Sequence, residues 1–204
     1  MTYTEFIKYV EEHIDRMFVL NVDNLFKNRP ELKVFIETSK FTTAPASTKY
    51  HGNYTGGLLE HSVNVMYTLC KLTEDNHLSW SRPESPIIVG LFHDICKVDQ
   101  YKPKVGNHLM YQDGAEIKLY DGYEYNNETL FKGHGDKSVM MLASLIQLTE
   151  EEAACIRYHM GAFTDKEEWN YYTRAIHKYP NVLWTHHADM IATHIMEVEN
   201  DRNN

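Results

Sequence analysis

The chain has 204 residues, a formal net charge of −9, 43% hydrophobic residues and 24% charged residues. That balance is ordinary for a globular domain with a core and excludes broad electrostatic capture of long nucleic acid, which needs a basic footprint. No apolar run reaches membrane-spanning length, no signal-peptide order opens the chain, and the scattered Cys70, Cys96 and Cys155 read as reduced thiols of a cytoplasmic protein.

The chain reads mostly as helix. Thr4 is positioned to cap a first helix, and Phe6, Ile7, Val10, Ile14, Met17 and Phe18 recur at three-and-four spacing. Pro30 opens a short second helix through Ile36. Residues 39–57 are irregular and end in Gly56-Gly57, after which Leu58 to about Thr73 is strongly helical. A Ser- and Pro-containing loop over 79–86 precedes a helix from about Pro86 to Lys97. Residues 99–130 break the pattern: Asp121-Gly122 within an alternating run predicts a small β-hairpin at about 108–126, inserted between helices. Helices follow over about 135–148, 150–160 and 166–178, with Thr149 and Glu152 forming a capping box. A last helix runs from about Asn181 to Glu199, and the polar tail 200–204 frays. The expected architecture is an all-α bundle in a single domain over 1–204, with N-terminal helices over 1–40 and a core over 41–199.

One dipeptide stands out. His93-Asp94 sits inside the apolar run Gly90-Leu91-Phe92-His93-Asp94-Ile95-Cys96, where an unpaired charge is costly. Imidazole and carboxylate together suit a divalent cation. Helical phase places His61 with Leu58, Val65 and Leu69, Asp94 with Ile87, Leu91 and Val98, and Asp189 with Val182 and Met196. A single inward histidine is usually a hydrogen-bonded core residue. Ligand types pointing inward from separate helices are harder to explain by packing, because unpartnered buried carboxylates are expensive.

His61, then His93-Asp94, then Asp189 resembles the signature of the HD-domain metal-dependent phosphohydrolases. The resemblance covers roughly residues 41–196. It is sharpest at Gly56-Gly57-Leu58-Leu59-Glu60-His61-Ser62, at Leu91-Phe92-His93-Asp94-Ile95-Cys96-Lys97 and at His187-Ala188-Asp189. The bacterial HD-type 3′–5′ exoribonucleases are similar further, at Phe41-Thr42-Thr43-Ala44-Pro45-Ala46, His51, Gly133-His134 and His159-Met160-Gly161. The resemblance implies an HD helical bundle with two divalent cations drawn from manganese, iron, nickel, cobalt, zinc or magnesium. It implies His61, His93, Asp94 and Asp189 around the first cation, and Asp94, His134 and His159 around the second. The bridging Asp94 is then catalytic.

Two cations ~3.5–4 Å apart can share a water and present hydroxide to phosphorus. Lys97, three residues after Asp94, shares its helix face and can meet a phosphate oxygen; the bland reading is a solvated lysine at a helix end. The family has glycine where this chain has Cys96. His51 reads either as a phosphate contact or as a plain loop histidine, and His186 as a partner on the face of Asp189. His13, His77, His177 and His194 fit no pattern, and His187 lies off that face. The tyrosines 101, 111, 120, 123 and 125 read as strand packing rather than as a base-stacking surface.

The expected function is metal-dependent hydrolysis of a phosphoester of a small nucleotide or nucleic-acid 3′ end. The alternatives are a 3′–5′ exonuclease, a cyclic-nucleotide phosphodiesterase, or a non-catalytic nucleotide-binding module. The acidic balance and the roughly 40 residues before the core favour a small substrate over an extended nucleic-acid surface. The Gly-Tyr-Pro element of cyclic-dinucleotide phosphodiesterases is missing after His159. A di-iron oxygenase on a related histidine-rich fold uses similar ligands.

Overall fold

The computed structural model describes residues 1–112, 115–131 and 133–198, with side chains of 107–112 and 115–120 excepted. It is mostly helical, with a two-stranded antiparallel sheet. Among the described residues, no helix is long and apolar enough to cross a membrane. The predicted tail 200–204 lies outside the described residues.

The N-terminal segment forms α1 (Tyr3–His13), α2 (Arg16–Asn28) and α3 (Pro30–Thr38). Thr2, not Thr4, caps α1: its side chain accepts from Glu5 N, and the Glu5 carboxylate returns to the Thr2 backbone. A capping box needs Glu or Gln three residues on. Thr2 has Glu5 there, whereas Thr4 has Ile7. The apolar period running to Phe18 spans two helices, because Ile14 and Asp15 are extended between them. Both helices face one core, so the break leaves the spacing undisturbed. Pro30 occupies the first turn of α3, as predicted. Phe26 and Phe41 contact Phe92 at ring-centroid distances of 6.3 and 5.7 Å, which joins these helices to the central core.

That core is built on α4 (Gly57–Asp75), α5 (Ser85–Phe92) and α10 (Asn181–Ile191). Every residue of α5 is buried, which explains its uninterrupted apolar sequence. Gly90 lets α5 approach α4: a Cβ there would lie 2.4 Å from the Met66 Cα. The helix predicted to reach Lys97 stops at Phe92. The chain then turns tightly, with Ile95 N donating to Phe92 O at 3.1 Å and Lys97 N to Asp94 O at 2.9 Å, before the short α6 (Lys97–Gln100). Such i to i+3 winding stacks side chains three apart, setting Lys97 over Asp94.

The hairpin pairs β1 (Tyr101–Gln112) with β2 (Ala115–Tyr125), so it begins earlier than predicted. Gln112 pairs with Ala115, and the reversal therefore falls between them rather than at Asp121-Gly122. Gly122 instead sits within β2 at φ 73. Then come α7 (His134–Ala143), α8 (Glu150–Arg157) and α9 (Trp169–Lys178), with tight turns at Gly161–Phe163 and Lys166–Glu168. The Thr149–Glu152 capping box forms as predicted. The helix expected to reach residue 160 ends at Arg157, and Gly161 (φ +58) follows. The last helix is regular only to Ile191 and continues as a wider turn over Ala192–Met196.

Replacing Gly90 by alanine forces α4 and α5 apart, an overpacking change that costs on the order of 1–3 kcal/mol. Urea denaturation is expected to show a lower midpoint with an unchanged slope. An unshifted midpoint would show that the two helices are not in close contact.

Candidate metal centre

The six sequence-predicted ligands come from five separate stretches. His61 lies in the second turn of α4, His93 and Asp94 in the turn after α5, His134 at the start of α7, His159 just past α8, and Asp189 on α10. These six residues meet at one point.

Asp94 is its centre. It is 3% exposed, and its two oxygens face different partners. Oδ2 lies 2.6 Å from Lys97 Nζ, 3.5 Å from His93 Nε2 and 3.7 Å from His61 Nε2. Oδ1 lies 3.2 Å from His134 Nδ1 and 3.4 Å from His159 Nε2. His61 Nε2 also stands 3.2 Å from His93 Nε2 and 3.3 Å from Asp189 Oδ1. Burial pushes the Asp94 carboxyl up, but the Lys97 ammonium and the imidazoles outweigh it and hold it well below the usual carboxylate range. Burial likewise acts against ionising Asp189, and the bond to His61 leads the effects that lower it.

The histidines are oriented from behind. His93 Nδ1 bonds Gly90 O at 2.8 Å and His159 Nδ1 bonds Ile156 O at 2.7 Å. A carbonyl accepts a proton there, so the lone pair is left on Nε2, the ligand tautomer. His159 Nε2 is buried and has no hydrogen-bond partner among the described residues; its approach to Asp94 is close without being aligned. A buried imidazole nitrogen left bare beside carboxylates suits a cation. Two donors held about 2.1 Å from one tetrahedral ion stand roughly 3.4 Å apart, and the separations here run from 3.2 to 3.7 Å. Nitrogen and oxygen donors of this kind suit zinc, manganese, iron, cobalt or nickel. The groups His61–His93–Asp94, His93–His159–Asp189 and Asp94–His134–His159 are each compact enough to hold a metal ion.

His134 differs, since Gln100 Nε2 lies 3.2 Å from its Nε2. Cys96 adopts ordinary helical backbone geometry, at φ −60 and ψ −22, and needs no glycine there. Burial pushes its thiol up to about 12, so it is no nucleophile at neutral pH.

A cleft of about 390 Å³ opens over the cluster, lined by His61, Asp94, Lys97, His134 and Asp189. His51 and His186 line it too. The loop 46–52 sets His51 with its ring 5.2 Å from that of His61, and burial lowers it to about 4, leaving it neutral. His186 Nδ1 bonds His159 O at 2.8 Å, and its ring packs where a Cβ on Gly161 would stand. His187 is exposed against Trp184, away from the cleft.

Three features escaped sequence reasoning. Glu197 is buried with Oε1 2.9 Å from His61 Nδ1. His194, which fits no pattern in the sequence, lines the cleft. The cleft mouth also carries exposed aromatics: Tyr50 (79% exposed), Phe163 (71%) and Tyr125 (59%). Tyr125 thus departs from the packing expectation. Tyr101 is half-buried against it, and Tyr123 bonds Thr55 Oγ1 at 2.9 Å. The side chains of Tyr111 and Tyr120 lie outside the described residues. No protein-family model, curated protein or solved structure matches this chain.

Burial lowers the His61 pKa, but its bonds to Asp189 and Glu197 more than reverse this and raise it from 6.5 to about 10. A raised folded-state pKa stabilises fully below the unfolded value and is lost as pH rises through the folded one. Protein treated with chelator is therefore expected to lose stability between pH 6.5 and about 10. Denaturation across that range checks it, with His61→Gln flattening the profile. A wild-type profile as flat as the variant's would contradict the assignment.

Proposed function

We propose that this chain is a metal-dependent phosphohydrolase of the HD type, acting on a small nucleotide. The observation that carries this reading is the division of Asp94, with Oδ2 toward His61 and His93 and Oδ1 toward His134 and His159. His61, His93, Asp94 and Asp189 would hold one divalent cation, and Asp94, His134 and His159 a second. Bound there, such cations supply Lewis acidity toward a phosphoryl group and lower the pKa of a coordinated water.

The chain's own groups do the rest. Lys97 lines the cleft with its ammonium beside Asp94, placed to take a phosphate oxygen as a point charge. Neutral His51 also lines the cleft, beside His61, and offers a ring nitrogen. Tyr50, Tyr125 and Phe163 give the mouth flat apolar faces, which suit a nucleobase rather than a bare phosphate. The acidic surface disfavours long nucleic acid. A second reading, a phosphodiester with a residue on each side, draws on an adjoining cavity of about 460 Å³ that shares Tyr125 and His134 with the first.

Metal content and phosphate release test the proposal against nucleotides, cyclic nucleotides and short oligonucleotides, with manganese, cobalt, nickel and magnesium supplied in turn. Asp94→Asn is expected to lose both bound metal and hydrolysis. Hydrolysis undiminished by Asp94→Asn, or a protein that takes up no divalent ion, would sink the reading; binding without turnover would favour the non-catalytic module. Lys97→Met is expected to keep its metal and lose roughly 10- to 100-fold in kcat/KM, the worth of one charged hydrogen bond. Tyr125→Ala is expected to raise KM about tenfold for the nucleotide while leaving glycerol phosphate hydrolysis unchanged, as lost stacking requires.

A further inference from the structure

The last helix sets two carboxylates against one imidazole. Asp189 Oδ1 lies 3.3 Å from His61 Nε2, and Glu197 Oε1 lies 2.9 Å from His61 Nδ1. Eight residues separate the two acids. In a regular helix that interval leaves them about 80° apart. The wider turn Ala192–Met196 takes up one extra residue. Seven effective steps of about 100° bring the acids back to within roughly 20° of a common direction. The irregularity of this helix therefore puts both carboxylates on His61.

His61 has a need that the other buried histidines lack. His93 and His159 follow helix ends, and their Nδ1 atoms find the backbone carbonyls of Gly90 and Ile156. Carbonyls in the last turn of a helix have no intrahelical partner and are free to accept. His61 stands near the start of the 19-residue α4, where the carbonyls around it feed the helix's own ladder. Its Nδ1 must take its acceptor from another element. Glu197 is 5% exposed, anchored through Oε1 by Asn64 Nδ2 at 3.4 Å, and its Oε2 is buried with no hydrogen-bond partner among the described residues.

We infer that Glu197 is a positioning residue, which the wide turn Ala192–Met196 brings to Nδ1 of His61 so that Nε2 is presented as the ligand atom. The inference rests on the metal reading above. Carboxylates behind ligating histidines fix tautomer and ring orientation, and their removal costs about 10- to 100-fold in metal affinity.

The test is competition for zinc against a chromophoric chelator, with ¹⁵N-histidine NMR of the zinc-loaded protein. Glu197→Ala is expected to weaken zinc by about 10- to 100-fold and to lose the protected Nδ1–H signal of His61. The Nδ1–H signals of His93 and His159, bonded to backbone carbonyls, should persist and report an intact fold. Glu197→Gln keeps an acceptor oxygen and is expected to restore the His61 signal and part of the affinity. Wild-type affinity and an unchanged His61 signal in Glu197→Ala would overturn the inference while leaving the metal reading intact. So would joint loss of all three signals in both variants, which marks a general packing role. A wild-type protein that binds no zinc, nor any other divalent ion offered, would overturn the metal reading and this inference with it.

Discussion

Burial of one carboxylate, Asp94, organises this protein. An ionised group at 3% exposure has lost its water, and the cost of that loss is several kcal/mol unless other groups replace it. Lys97 comes from the next turn, and the other replacements come from far apart in the chain: His61 from α4, His134 from α7 and His159 from the end of α8. Four elements must be in place before Asp94 can be ionised in the core. The site and the bundle are therefore one structural problem.

The packing serves that requirement. Gly90 removes the side chain that would hold α5 away from α4, and its carbonyl orients His93. The tight turn after Phe92 points Asp94 into the cluster and stacks Lys97 on it. Gly161, left-handed at φ +58, lets the chain turn after His159 and leaves room for His186 to bond the His159 carbonyl. Three departures from regular helix, at 93–96, 158–161 and 192–196, fall beside residues of the cluster. Regular helix offers side chains at fixed angles, and convergence on one point needs angles it does not supply.

Around this charged centre the cleft changes character within a few ångströms. Its floor is His, Asp and Lys; its mouth is Tyr, Phe and Met. Exposed aromatics cost little one at a time, but grouped around a polar floor they match a ligand with a charged end and a flat end. That pairing is what favours a nucleotide over simpler phosphates in the function proposed for this chain.

Much of the site could be read from the order of residues. Runs with a 3.6 period marked α4 and α10, and phase placed His61 and Asp189 inward, since a helix repeats its faces whatever surrounds it. His93-Asp94 stood out because charge inside an apolar run demands a partner. What the sequence could not convey was where helices break. The tight turn after Phe92 and the wide turn at Ala192–Met196 answer to tertiary packing, not to local preference. Glu197 was invisible for that reason, being some 80° out of phase in a regular helix. The hairpin's reversal was misplaced at Asp121-Gly122 because register is set by long-range pairing. By itself, then, the sequence determined which metal-binding side-chain types lie on apolar helix faces and so turn inward. Only the tertiary structure decided that both oxygens of Asp94 are used and that Glu197 backs His61, because contacts between residues 136 positions apart arise from packing and leave no local trace.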